Sequence, residues 1–521
     1  MGQKFLSGRG PDEMMLMPAD PREWLPPGHL AWKVIELAAE MDLSGLGASC
    51  RGDGQGGRPH DPAMMTTLIL YCYCRGRKPA RQIEAATYDD VGARIIAGGL
   101  HPDHSTVARF VARHEAAVRA LLPESVKACA REGLVDLSVV AGDGTKLKAN
   151  AAMGATVTAE RLEEQVAELE AWIDAELSGW VQDLLAAEGI PARDGAGGPG
   201  DDAGAPGDAV GGGGGKKKRK AKPDRAAQML ERRLAARARL RDAAADKAGP
   251  RIAELAARVP DREAAVRRHE KKAQDKISAR AAREAAGEKI PGTRPITSPG
   301  QDRDVRAARA SLDKARAAME DVIRQALQDA KVNVTDPDSR IMPLKKGGYD
   351  QLFNVQALAT ARTQVILAIT RHGSPADTTA LEALLAAARA VLQAAGIPGR
   401  IRKALFDAGY ASDANFTLDI PEQLWIALSR TRGTPHGTLP SWQEMQARLD
   451  TPEGKELYKQ RAATIEPVFA QLTQRLGRTL GFRGSLADAE LALWAASHNI
   501  LKAIKARTRR LARTTAPALA A

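Results

Sequence analysis

Apolar residues recur at helical spacing from residue 28 to 48 (Leu30, Val34, Leu37, Met41), and the glycine-rich stretch from Gly45 to Gly57 ends that predicted helix. The run Met64 to Tyr73 after Pro62 is apolar apart from two threonines, Pro79 opens another short helix, and Asp103-His104-Ser105 is an N-cap signal before Thr106–Phe110. An all-helical N-terminal domain over 1–125 is the result. Between Leu134 and Leu147 the pattern turns β-branched and apolar, which predicts a buried strand stopped by Gly142-Asp143-Gly144. Helical periodicity then takes over: Leu162, Val166, Leu169, Ile173, Leu177, Trp180 and Leu184 stand three or four apart, and blocks near 226–287 and 303–331 are rich in Ala, Arg, Glu and Lys. From about residue 341 strand patterns return in QLFNVQALAT, QVILAIT, RIRKALFD and QLWIALS, with a helix over Thr378–Ala394 among them and long helices near 451–476 and 486–506.

This order predicts an α/β fold: a mixed sheet preceded by helices and interrupted after its first strand by a long, coiled-coil-like helical insertion over 155–335. The first part of the sheet domain covers 130–150 and the remainder 341–505, followed by a basic tail over 506–521. Within the insertion, residues 193–215 are almost entirely Gly, Ala, Asp and Pro, a composition too poor in apolar side chains to offset backbone entropy, so a disordered linker over 193–223 is expected.

The charge balance narrows the partner. Lys and Arg number 76 against 64 Asp and Glu in 521 residues, a net +12, which favours a polyanion such as nucleic acid. Aromatics make up only 4%, arguing against rows of stacked single-strand bases and for duplex backbone contacts. The four cysteines, Cys50, Cys72, Cys74 and Cys129, form no CxxC pair and no disulfide framework, so a reducing cytoplasm is the expected setting. The first residues carry no apolar signal core, and no stretch approaches eighteen apolar residues, so no membrane span is expected.

Two aspartates share a context: Asp143 in VVAGDGTK and Asp407 in ALFDAGY each follow an apolar strand and precede small residues. Acids at neighbouring strand ends of an open sheet are placed to face one ion, although an Asp there also serves as a turn former or cap. Arg109 and Arg113, four apart on the segment Ser105–His114, share a helix face suited to a DNA groove or equally to solvent.

The blocks GDGTKLKAN, NVTDPDSRIM with YDQLFNVQ, FDAGYAS and YKQRAATIEPVF, in this order, resemble those of bacterial insertion-sequence transposases with a DDE, RNase H-like catalytic domain. The segment GRPHDPAMMTTLILYCYC…HSTVARF resembles the helical domain that precedes it in that family. The resemblance covers roughly 15–150 and 330–505. It implies Asp143, Asp407 and Glu466 as the catalytic and metal-binding acids, Mg²⁺ or Mn²⁺ as cofactor, and double-stranded DNA, both element ends and target, as substrate. It further implies a homo-oligomer on DNA, a cytoplasmic, nucleoid-associated location, and DNA contacts from Lys146, Tyr458, Lys459 and Arg461. Relatives often show Tyr, two residues, Arg, three residues, Glu, and a Lys seven further on. Here Tyr458 and Arg461 fit, but four residues separate Arg461 from Glu466 and Thr473 stands at the Lys position, which leaves a transposase-derived regulator without catalysis as the alternative. One extra residue turns Arg461 by roughly 100° about a helix, so its direction is open. Pro467 is expected to kink the helix there, since it removes an N–H and crowds the carbonyl of Ala463.

Overall fold

In the computed structural model, residues 20–49, 59–187, 223–288, 296–344, 347–428 and 439–515 are described. Cys50, the Gly/Asp/Pro-rich linker and the run Lys216–Lys220 lie outside them. Helices α1 (Leu30–Ala39), α2 (Pro62–Cys74), α3 (Ala80–Asp89), α4 (Val91–Ile96), α5 (His104–Arg113) and α6 (Glu115–Arg131) come first. The sequence signals explain their starts: Asp61 caps α2 by accepting from the N–H groups of Ala63 and Met64, with Pro62 at its first position, and Asp103 caps α5 through Ser105 and Thr106. Because α2 is apolar on every face, it is buried on every face from Met65 to Cys74.

Strand β1 runs Val139–Lys148, straight through Gly142-Asp143-Gly144, which corrects the expectation that those residues stop it. Antiparallel pairing with β5 holds it extended over the whole length. After it come β2 (Thr156–Thr158), α7 (Ala159–Ala187), α8 (Pro223–Ala256), α9 (Val259–Ala285), α10 (Arg303–Asp329) and β3 (Lys331–Asn333). The block over 226–287 is thus two helices, separated just before Pro260. These elements form one of two compact units, Ala151–Ser339. Its core is thin: Leu162, Ala236, Leu240 and Val332 pack together, as do Ala244, Ala248 and Ala326. Ion pairs across the helices, Glu163 with Arg237, Glu263 with Arg316 and Glu270 with Arg309, flank that core, and β2 pairs antiparallel with β3.

The other unit joins residues 1–150 to 340–521. Its later elements are β4 (Arg340–Pro343), β5 (Tyr349–Thr360), β6 (Ile366–His372), α11 (Leu381–Ala394), β7 (Lys403–Phe406), α12 (Asp413–Phe416), β8 (Gln423–Ile426), α13 (Pro440–Asp450), α14 (Pro452–Leu476) and α15 (Leu486–Thr515). The mixed sheet has the order β4-β5-β1-β7-β8, with β6 also on β5. β4 takes the start of the long β5 and β6 takes its remainder. β1 is antiparallel to β5 and parallel to β7, and β7 is parallel to β8.

Helix α15, expected to give way to a tail near 506, continues to Thr515 and ties the N-terminal helices to the sheet. The side chain of Asn499 receives the N–H of Ile366 at 2.9 Å, donates to the Ile366 carbonyl at 2.9 Å, and donates to Ser125 Oγ at 3.1 Å. A fully buried amide is tolerable only when its polar atoms are satisfied in this way. Cys72, Cys74 and Cys129 are free and buried, consistent with core thiols. Among the described residues no helix is long and apolar enough to cross a membrane.

Candidate active site

The site begins where two strands of unequal length lie side by side. β7 pairs with β1 only over Val139–Ala141 and ends at Phe406, so past Ala141 that edge of β1 has no strand partner until Lys148 bridges to Thr479, while its other edge stays bonded to β5. Asp143 therefore lies mid-strand, opposite Ala357, and not at a strand end as the sequence suggested. Gly142 is required here, since a Cβ would collide with the Phe406 ring. Asp407 immediately follows β7 and caps the turn Ala408–Tyr410, its Oδ1 accepting from the Gly409 N–H at 2.9 Å.

These two carboxylates act on each other electrostatically. Burial, and next the charge of Asp407, raise the proton affinity of Asp143 above that of an ordinary aspartate, against the Gly144 N–H and Arg461, which lower it. Arg461 on α14 lies 3.3 Å from Asp143 Oδ2 and 3.6 Å from Glu466 Oε1. One guanidinium thus links the first and third predicted acids, although Asp143 is mostly buried and the Glu466 side chain is 62% exposed. The length of the arginine side chain absorbs the extra residue between Arg461 and Glu466. Helix α14 is continuous through Pro467, and the Ala463 carbonyl that proline leaves without its helical donor accepts from Gln364 Nε2 at 3.2 Å.

Other acids are engaged elsewhere. Glu453 pairs with Lys403 and Glu456 with Lys459, while Glu490 is buried against Lys78. Of the expected DNA contacts, Tyr458 lies under the Arg461 guanidinium, 5.9 Å from ring centre to carbon, and Lys459 is exposed. Lys146 donates to the Pro375 carbonyl at 2.8 Å, and burial lowers its proton affinity. Arg109 and Arg113 are on the exposed face of α5, opposite buried Val107 and Val111.

Sequence reasoning missed a polar group beside the aspartates: Asn354 and Gln356 on β5, Asp377 after β6, and Tyr410. Tyr410 donates to Gln356 Oε1. Burial, then the charges of Asp377, Asp143 and Asp407, push its hydroxyl far above the usual tyrosine range. The available signal was the alternation in QLFNVQALAT, where Asn354 and Gln356 put two fully buried amides on one face of a run that is otherwise apolar from Leu352 to Ala359. Among the described residues no group of three or more His, Cys, Asp or Glu side chains is gathered closely enough to hold a metal ion.

Two protein families match the chain: the transposase domain (DUF772) over residues 20–113 and the transposase DDE domain over residues 331–500. No curated protein and no solved structure matches. The DDE match, which implies an RNase H-like fold, includes Asp407 and Glu466, while Asp143 precedes it in sequence. With the helical transposase domain and the DDE domain on one chain in this order, the chain belongs to the insertion-sequence transposases that carry a DDE domain.

Proposed function

We propose that this transposase binds the terminal inverted repeats of its element, cuts DNA there and joins the freed 3′-hydroxyl to a target by in-line transesterification. The observation that carries the reading is the meeting of Asp143, on β1, and Asp407, just past the end of the neighbouring β7, with one arginine linking Asp143 to Glu466. Asp143, Asp407 and Glu466 are the residues that would hold Mg²⁺ or Mn²⁺. They offer only hard oxygen donors, and the mutual repulsion of the two aspartates is what a dication relieves. Bound divalent cations would supply the charge that makes a water nucleophilic and stabilises the departing oxygen.

The chain's own groups do the rest. Arg461 offsets part of the charge of Asp143 and Glu466 in the DNA-free protein, and its forked donors suit a phosphate once DNA enters. Tyr458 packs beneath it and restricts its rotamers, while Lys459 on the exposed side of α14 meets the backbone outside the site. The buried Gln356–Tyr410 pair walls the aspartates from the core. Helices α7–α10 serve as the coiled-coil-like arm that grips flanking DNA or a second copy on paired ends, in the cytoplasm.

The decisive experiment incubates the protein with duplexes carrying the element's ends and Mg²⁺ or Mn²⁺, and maps nicks and joined products. Cleavage at the repeat boundary with strand transfer is expected. Binding without any nick would overturn the reading in favour of the non-catalytic regulator, to which Thr473 at the Lys position points.

End recognition is assigned to α5. Replacing both Arg109 and Arg113 by Ala is expected to weaken end binding at least ~10-fold and to reduce the slope of log K against log[salt] by about 2, since each lost phosphate contact contributes about one. A footprint unchanged in the double variant would exclude α5 as the reader.

A further inference from the structure

Asp377, between β6 and α11, belongs to no block of the transposase resemblance, yet it packs against the backbone at Gly144, next to Asp143, and at Gly409, beside Asp407. Its Oδ1 accepts from Asn354 Nδ2 at 2.8 Å and from Gln356 Nε2 at 2.7 Å. The β1–β5 register sets Gln356 opposite Gly144 and Asn354 opposite Lys146, so these amides hold Asp377 against the segment of β1 that carries Asp143. A Cβ on Gly144 would lie 2.9 Å from Asp377 Oδ1 and 2.5 Å from Gln356 Nε2. On the other side, a Cβ on Gly409 would lie 3.2 Å from Asp377 Oδ2 and 3.0 Å from Asp407 Oδ1. The Asp377 carboxylate thus fills the space that two glycines leave open, one directly after Asp143 and one two residues after Asp407. Neither glycine has a positive φ, so the close approach of side chains, and not backbone conformation, is what calls for them.

We propose that Asp377 is a positioning residue for DNA cleavage: lodged between Gly144 and Gly409, it fixes the spacing of the Asp143 and Asp407 carboxylates and thereby their affinity for a divalent cation. The inference rests on the reading of those two aspartates as cation ligands.

Mn²⁺ alone, titrated into the full-length protein and followed by electron paramagnetic resonance, tests it. Asp377→Ala is expected to weaken Mn²⁺ binding about tenfold, the usual scale for residues that orient ligands, with cleavage recovering at saturating Mn²⁺. Asp377→Asn keeps an oxygen for both amides and is expected to stay within about threefold of wild type, a rescue that loss of charge alone would not allow. Wild-type affinity in Asp377→Ala, or an Asn variant as weak as the Ala variant, overturns the proposal. Asp143→Asn is the control: if it too binds Mn²⁺ like wild type, the parent reading falls and takes this one with it, whereas loss in Asp143→Asn beside wild-type binding in Asp377→Ala removes this proposal alone. Should Asp377→Ala fail to fold, Gly144→Ala displaces the same carboxylate from the opposite side and must show the same loss; wild-type affinity there overturns the proposal.

Discussion

Replacing Asp143 by Asn is expected to lower DNA strand cleavage by roughly 10³-fold or more while leaving end binding within about twofold, because a lost ligand charge removes cation-assisted chemistry and touches none of the distant phosphate contacts. The same change is expected to leave the metal-free protein at least as stable. Burial and the neighbouring Asp407 charge raise the Asp143 proton affinity more than the Gly144 N–H and Arg461 lower it. A raised carboxyl pKa means that the folded state holds the proton more tightly than the unfolded chain. Its stabilising contribution is therefore present below the unfolded value and is lost as pH rises through the folded one. At neutral pH the ionised Asp143 is a net cost, which the neutral amide removes. Thermal unfolding in EDTA checks this: a melting temperature that falls well below wild type at pH 7, while rising relative to wild type at pH 4, would mean that Arg461 outweighs burial and repulsion. Cleavage by the Asn variant at a rate near wild type would sink the assignment of Asp143 itself.

Much of this site was visible before the fold, and the reasons for the remainder are local. Asp407 was legible because an apolar strand ends there and a turn begins. Asp143 was legible as an acid that comes near Asp407, but it was wrongly read as a strand terminus, since Gly-Asp-Gly reads as a breaker when only propensity is weighed. Phe406 over Gly142 and Gln356 over Gly144 make those glycines sites of close side-chain approach, and β5 continues the ladder past them. Asp377 carried no such signal: SPADTT reads as a turn, and its nearness to Gly144 arises from a register between strands more than two hundred residues apart. The three-residue strands β2 and β3 were invisible for the same reason, as each is shorter than any periodicity can reveal. The helices, by contrast, announced themselves through caps and spacing, and Leu162, Val166 and Leu169 are buried as their spacing required. The side chains after Ala175 on α7 lie outside the described residues.

Glu490→Ala is expected to destabilise the protein by about 3–5 kcal/mol, the cost of removing one partner from a buried ion pair. Glu490 is another acid of the C-terminal helices, and its surroundings show why it serves the fold. Its side chain is 1% exposed and lies 3.3 Å from Lys78 Nζ. One oxygen accepts the N–H groups of Gly481 and Phe482 at 2.7 and 2.9 Å, and the other accepts from Trp494 Nε1 at 3.4 Å. Lys78 comes from the turn between α2 and α3, donates to the Thr479 carbonyl and lies 4.8 Å from the Trp494 ring centre. The carboxylate therefore fastens the N-terminal helices to the turn between α14 and α15. Alanine leaves a mostly buried ammonium and two backbone N–H groups without their acceptor, whereas Gln keeps an oxygen for the amides but loses the charge and turns its NH2 toward the donors Lys78 and Trp494. The order of melting temperatures expected is wild type, then Gln, then Ala, and the Gln variant should cleave DNA at the wild-type rate per folded molecule. Glu466→Gln should do the reverse, melting like wild type and failing to cleave. If Glu490→Gln lost cleavage at full stability while Glu466→Gln retained it, the third acid would have to be moved from α14 to α15.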